Sequence, residues 1–167
     1  MAISTVLRDE CVKEVLRIQS LLEEILKGMG PYIDWKNNAD DWSLREIVYH
    51  LIDLPAEGVH IVLGGILEGT TSEVSTISDT SNVTPARSAK TFAEVKGDLD
   101  EILNGLITTL ELTNDAELAN RTYTHNSVGK EKNTRNAQFI VERLFAGHWM
   151  KHVQQMSEVR EQLQKTL

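Results

Sequence analysis

The sequence predicts an all-α chain folded as a four-helix bundle. Three observations carry that expectation: four apolar stripes at alternating steps of three and four residues, two Ser/Thr-x-x-Glu capping boxes opening two of them, and a Gly and Pro cluster closing the first. The 167 residues fit one domain, 1–167, able to bury a sizeable core.

The first stripe, Cys11, Val15, Ile18, Leu22, Ile25 and Met29, marks a helix from Leu7 to Met29, and Gly28, Gly30 and Pro31 close it. Ser43 and Glu46 cap a second helix from Leu44 to about Leu67, through Ile47, Val48, Leu51, Leu54, Val62 and Ile66. Pro55 lies inside it. Proline cannot donate to the Leu51 carbonyl, so a kink or break is expected just past His50. Residues 69–90 are rich in Ser, Thr, Asp and Asn and read as a long exposed connection with one short extended piece at Val74 to Ile77. Thr91 and Glu94 cap the third helix, whose stripe is Phe92, Val95, Leu99, Ile102, Leu106 and Leu110. A second polar connection spans 113–136, where Arg121 to His125 alternates weakly and Asn126 to Gly129 can turn. The fourth helix is expected from about Thr134 to Gln164.

Its stripe carries the chemistry. Ala137, Val141, Leu144, His148, His152, Gln155 and Val159 fall within about 40° of the direction of His148 at about 100° per residue. Histidines at i and i+4 point the same way, so His148 and His152 can share one ion. His50, beside Ile47, Leu51 and Leu54, faces the same interior and offers a third nitrogen, although a lone core histidine is more often structural. Three neutral imidazoles leave a dication with open positions, as catalytic sites do; zinc fits them and nickel binds too.

Other arrangements are weaker. A zincin places Glu after its first His, where this chain has Trp149. A di-iron bundle needs two Glu-x-x-His motifs, and only Glu57-Gly58-Val59-His60 is present. Glu57, about 20° from His50 around a continuous wheel, is a candidate base or support for a ligand, or a surface residue beside the break. His60, about 80° away, reads as a flank residue, and His125 as a solvated loop side chain or a contact at the metal mouth. Cys11 reads as core. Trp35 and Trp42 read as packing at one bundle end, and Trp149 as support for the ligand helix or part of a dimer face.

Composition narrows the functional class. A formal net charge of -8 argues against broad binding to a nucleic-acid backbone, and no apolar run is long enough for a membrane span. Met1 to Glu10 has no basic opening or signal-type apolar core, and the single cysteine fits a reducing cytoplasm.

Trp42-Ser43-Leu44-Arg45-Glu46-Ile47-Val48-Tyr49-His50-Leu51 resembles the helix-two signature of the DinB/YfiT-like superfamily. His148-Trp149-Met150-Lys151-His152-Val153-Gln154-Gln155 resembles its helix-four signature, His-x3-His-x2-Gln. The two occur together, in order. The resemblance implies a DinB-like four-helix bundle with long connections after helices two and three. It also implies metal ligation by His50, His148 and His152, with Gln155 as a polar neighbour. It further implies a homodimer, for which Ile61, Leu63 and Val153 are spare apolar residues. Members with an activity resemble thiol-dependent transferases and an isomerase, in which a metal activates a low-molecular-weight thiol toward a small electrophile. A metal-binding or interaction bundle without catalysis is the alternative.

Overall fold

The computed structural model describes residues 6–77 and 80–167, with the Val6 side chain left aside. Met1 to Thr5, part of the N-terminal stretch read above, lie outside the described residues, as do Ser78 and Asp79 of the first connection.

Helix α1 spans Val6–Leu26, and every residue of its stripe is buried. Its ends are capped from afar. The Asp115 carboxylate accepts the backbone N–H groups of Leu7 and Arg8 at 3.4 and 2.9 Å, and Arg160 donates to the carbonyls of Glu24, Ile25 and Lys27 at 2.7 to 3.0 Å. The second predicted helix is two: α2, Leu44–Ile52, and α3, Val59–Glu68. Between them the chain turns at Pro55, and Gly58, at φ 92°, takes a conformation that a side chain would strain. The capping box of α2 forms as expected, Ser43 Oγ accepting from the Glu46 N–H and Glu46 from the Ser43 N–H.

Strand β1 (Glu73–Thr76) and a short helix, α4 (Pro85–Ser88), lie in the first connection. Helix α5 (Phe92–Glu111) has the predicted Thr91 box, and α6 (Asp115–Asn120) follows it. Strands β2 (Thr122–Ser127) and β3 (Asn133–Asn136) then pair antiparallel, Thr122 opposite Asn136, while β1 joins β2 in parallel with Glu73 opposite Thr124. The all-α expectation is corrected by this three-stranded sheet. Val74, Tyr123 and His125 bury one of its faces against the helices.

The fourth rod begins later than expected, because Thr134 and Arg135 belong to β3 and Asn136 caps the helix by accepting the Phe139 N–H at 3.1 Å. It runs through α7 (Ala137–Phe139), a π-helical stretch Ile140–Gly147 and α8 (His148–Thr166). The π stretch changes the stripe. Bonding one residue further per turn brings Val141, Phe145, Trp149 and Val153 into the core at steps of four, leaving Leu144 half-buried. Trp149 is fully buried against Phe145, ring centroids 4.9 Å apart, so it supports α8 from inside.

Rods α1, α2 with α3, α5, and α7 to α8 form the bundle, α1 packing on α5 and α8, and α2 on the same pair. Of the apolar residues expected to be spare, Leu63 and Val153 are core and only Ile61 is exposed. No helix among the described residues is long and apolar enough to cross a membrane.

Candidate metal centre

Helices α2 and α8 bring His50, His148 and His152 together. His50 Nε2 lies 3.0 Å from His148 Nε2, and His152 Nε2 lies 3.1 Å from the same atom. All three ligand nitrogens fall within 4.8 Å of one another. Two nitrogens each about 2.0 to 2.1 Å from a shared ion stand at most about 4.2 Å apart, and both separations from His148 Nε2 satisfy that limit.

The far ring nitrogens decide which protons are present. His50 Nδ1 lies 2.8 Å from the Thr80 carbonyl oxygen, which can only accept, so Nδ1 carries the hydrogen and Nε2 of the neutral ring is a bare lone pair. His152 Nδ1 donates to Gln155 Oε1 at 2.7 Å, with the same consequence. A single hydrogen on His148 Nε2 cannot serve two acceptors at these distances. His148 itself is held neutral: burial, then the neighbouring His152, His50 and Lys151, push its pKa down to about 3. Its Nδ1 is buried without a hydrogen-bond partner. Three converging imidazole nitrogens of this kind fit a divalent cation and little else. Among the described residues no carboxylate, thiol or further histidine joins the group, so the ligand set has open positions.

Trp42, expected to be end packing, stands over the site instead: its ring is 4.9 Å from the His50 ring and lies near-parallel to His152 at 6.3 Å. Together with His152 and Gln155 it forms part of the wall of an open cleft of about 660 Å³. Asp40, Asp41 and Glu158 add carboxylates to that wall, opposed by Lys151.

Other candidates lie elsewhere. Glu57 sits exposed in the break between α2 and α3, where the continuous wheel that aligned it with His50 does not exist; it borders a second depression of about 360 Å³ with Tyr49, Asp53, His60, Arg87 and Asp98. His60 fills a notch left by two glycines: a Cβ on Gly58 would come within 2.9 Å of its ring and one on Gly105 within 2.5 Å. Burial lowers its pKa against the pull of Glu101. His125 is not a solvated loop side chain. It is buried in β2, its Nε2 2.9 Å from Ser127 Oγ and its ring against Tyr123 and Phe139 rather than against the three imidazoles. Cys11 is core, as expected, and burial, then Glu142, Asp115 and Glu10, pushes its thiol up to about 11.

Fold and site together define a class: a four-helix bundle with a small sheet and a three-histidine candidate centre for a divalent metal. No protein-family model matches the chain, and no curated protein does. Among solved structures it is similar to YfiT from Bacillus subtilis, described as a probable metal-dependent hydrolase with an unusual four-helix bundle topology. The two share 16% identity, the match covers 97% of this chain and 90% of that one, and the TM-score is 0.72. At that identity the likeness establishes the fold, which is the fold that the two sequence signatures implied.

Proposed function

We propose that this chain is a metal-dependent enzyme in which His50, His148 and His152 hold one divalent ion that activates a small nucleophile, water or a low-molecular-weight thiol, against a small electrophilic substrate. The observation that carries this reading is the convergence of three imidazole nitrogens beside an open cleft, with no fourth protein ligand among the described residues. When bound, the ion supplies Lewis acidity, lowering the pKa of a water or thiol in its open positions.

The protein's part is orientation. Thr80 and Gln155 keep two Nε2 lone pairs aimed inward, burial keeps His148 neutral, and Trp42 lays an apolar face beside the ligands. The excess of carboxylates on the cleft wall favours a neutral or cationic substrate over a polyanion. Hydrolysis is the chemistry named for YfiT. Transfer to a thiol is what the sequence signatures imply, and that thiol comes from outside the chain, because Cys11 is buried and protonated. Zinc and nickel both suit the nitrogen set. A cytoplasmic homodimer completes the proposal; light scattering across a concentration series tests the dimer.

The experiment is elemental analysis of untagged protein, followed by turnover assays on small electrophiles with and without added thiols. About one equivalent of divalent metal is expected, with turnover lost on chelation or in His148→Ala. Protein that takes up no zinc or nickel after dialysis against either overturns the reading.

A further inference from the structure

Resting on the reading of His50 as a metal ligand, we infer that Arg87, outside the three-histidine cluster and on a different element, is a positioning residue that fixes the His50 ring by holding the Thr80 carbonyl in place. Its side chain grips α2 on both sides of His50. Arg87 Nη1 and Nη2 donate to the two carboxylate oxygens of Asp53 at 2.6 and 2.9 Å, and Asp53 is the residue that caps α2 three positions after His50. The guanidinium also lies 4.4 Å over the centre of the Tyr49 ring, one position before it.

The same Nη1 donates to the Asn82 carbonyl at 2.9 Å. Asn82, at φ 56°, makes a left-handed turn in the stretch that leads from Thr80 to α4, a conformation asparagine tolerates better than most residues. Two positions earlier stands the Thr80 carbonyl that accepts from His50 Nδ1 at 2.8 Å. One guanidinium thus ties the helix carrying the ligand to the turn carrying its acceptor.

The base of the stretch is tied independently, since Arg45 Nη1 donates to the carbonyls of Arg87 and Lys90, both at 2.9 Å, and the Thr84 hydroxyl caps α4. Arg87→Ala therefore leaves the start of α4 and α5 anchored while freeing the turn at Asn82. Without its acceptor, the His50 proton redistributes to Nε2, which removes the lone pair the ion needs.

Two measurements separate this role from a general loss of stability. The first is the His50 tautomer in metal-free protein, read from long-range 1H–15N correlation spectra at a pH where the ring is neutral. Wild type should show the Nδ1–H form, and Arg87→Ala a mixture with the Nε2–H form. The second is zinc affinity by chelator competition. Arg87→Ala should weaken binding about 10- to 100-fold, the range typical of residues supporting a ligand. In a His50→Ala background the same change should cost nothing further, because Arg87 acts only through that ring. Asp53→Asn, which loosens the tie between the guanidinium and α2 while keeping the Arg87 side chain, should shift both readouts in the same direction if Arg87→Ala fails to fold. An unchanged His50 tautomer in both variants overturns the inference, as does an additive loss of affinity in the His50→Ala background. Failure of wild type to bind zinc overturns the metal reading instead, and the tautomer spectra still test the Arg87 contact.

Discussion

Zinc should raise the melting temperature of this protein by an amount that one substitution nearly abolishes. A ligand that binds only the folded state stabilises it by RT ln(1 + [L]/Kd), about 2.7 kcal/mol at a free concentration 100 times Kd. For a chain of this length about 1 kcal/mol corresponds to roughly 2 to 4 °C, so wild type should gain about 5 to 11 °C. His50→Ala removes the ligand supplied by α2 and leaves the one-turn pair His148 and His152. Losing a ligand weakens binding by at least the roughly 100-fold that a supporting residue can cost, which brings the concentration ratio to about one and the stabilisation to about 0.4 kcal/mol, or about 1 to 2 °C. The apo variant itself should melt lower, since the ring is buried beside Trp42 and the Thr80 carbonyl loses its donor. The zinc-dependent difference isolates the site. The assay is calorimetry of untagged protein at fixed free zinc, with His60→Ala and His125→Ala as controls expected to respond like wild type. A full shift retained in His50→Ala would refute the three-histidine centre. So would a shift in the variant lacking all three histidines.

Three further outcomes follow from individual contacts. Gln155→Leu removes the acceptor 2.7 Å from His152 Nδ1 and should weaken zinc binding about 10- to 100-fold in a chelator competition; unchanged affinity would show that the amide does not orient the ring. Trp149→Ala empties the fully buried space beside Phe145 and should cost about 3 to 5 kcal/mol in urea unfolding, and a loss below about 1 kcal/mol would contradict its placement in the core. Cys11, with its thiol raised to about 11, stays protonated in the folded protein at neutral pH; alkylation should be slow until denaturant is added, and stability should decline as pH rises from the ordinary thiol range toward 11, because the unfolded chain ionises first. Rapid labelling of the native protein would disprove the burial.

What the sequence determined by itself is local. The capping boxes at Ser43 and Thr91, the apolar stripes of α1 and α5 and the i, i+4 spacing of His148 and His152 each depend on a few neighbouring residues and on helix geometry, and the structure contains all of them. His50 was readable for the same reason, because it precedes the break at Pro55. Wheel arithmetic failed wherever the helix stopped being regular: it aligned Glu57 across a break, and it placed Leu144 inward, where the π-helical turns bring Phe145 and Trp149 to the core. Two of the sheet's strands were legible, as the extended piece at Val74 to Ile77 and the weak alternation from Arg121 to His125, but their joining was not, because β1 pairs with a partner some 50 residues away in sequence, Glu73 with Thr124, for which no spacing rule exists. The same is true of the contacts that make the site. Trp42 above the imidazoles, the Thr80 carbonyl on His50 and Arg87 between Asp53 and Asn82 join segments that only the closed bundle brings together, so the three converging histidines were legible in the chain while the groups that orient them were decided by tertiary structure.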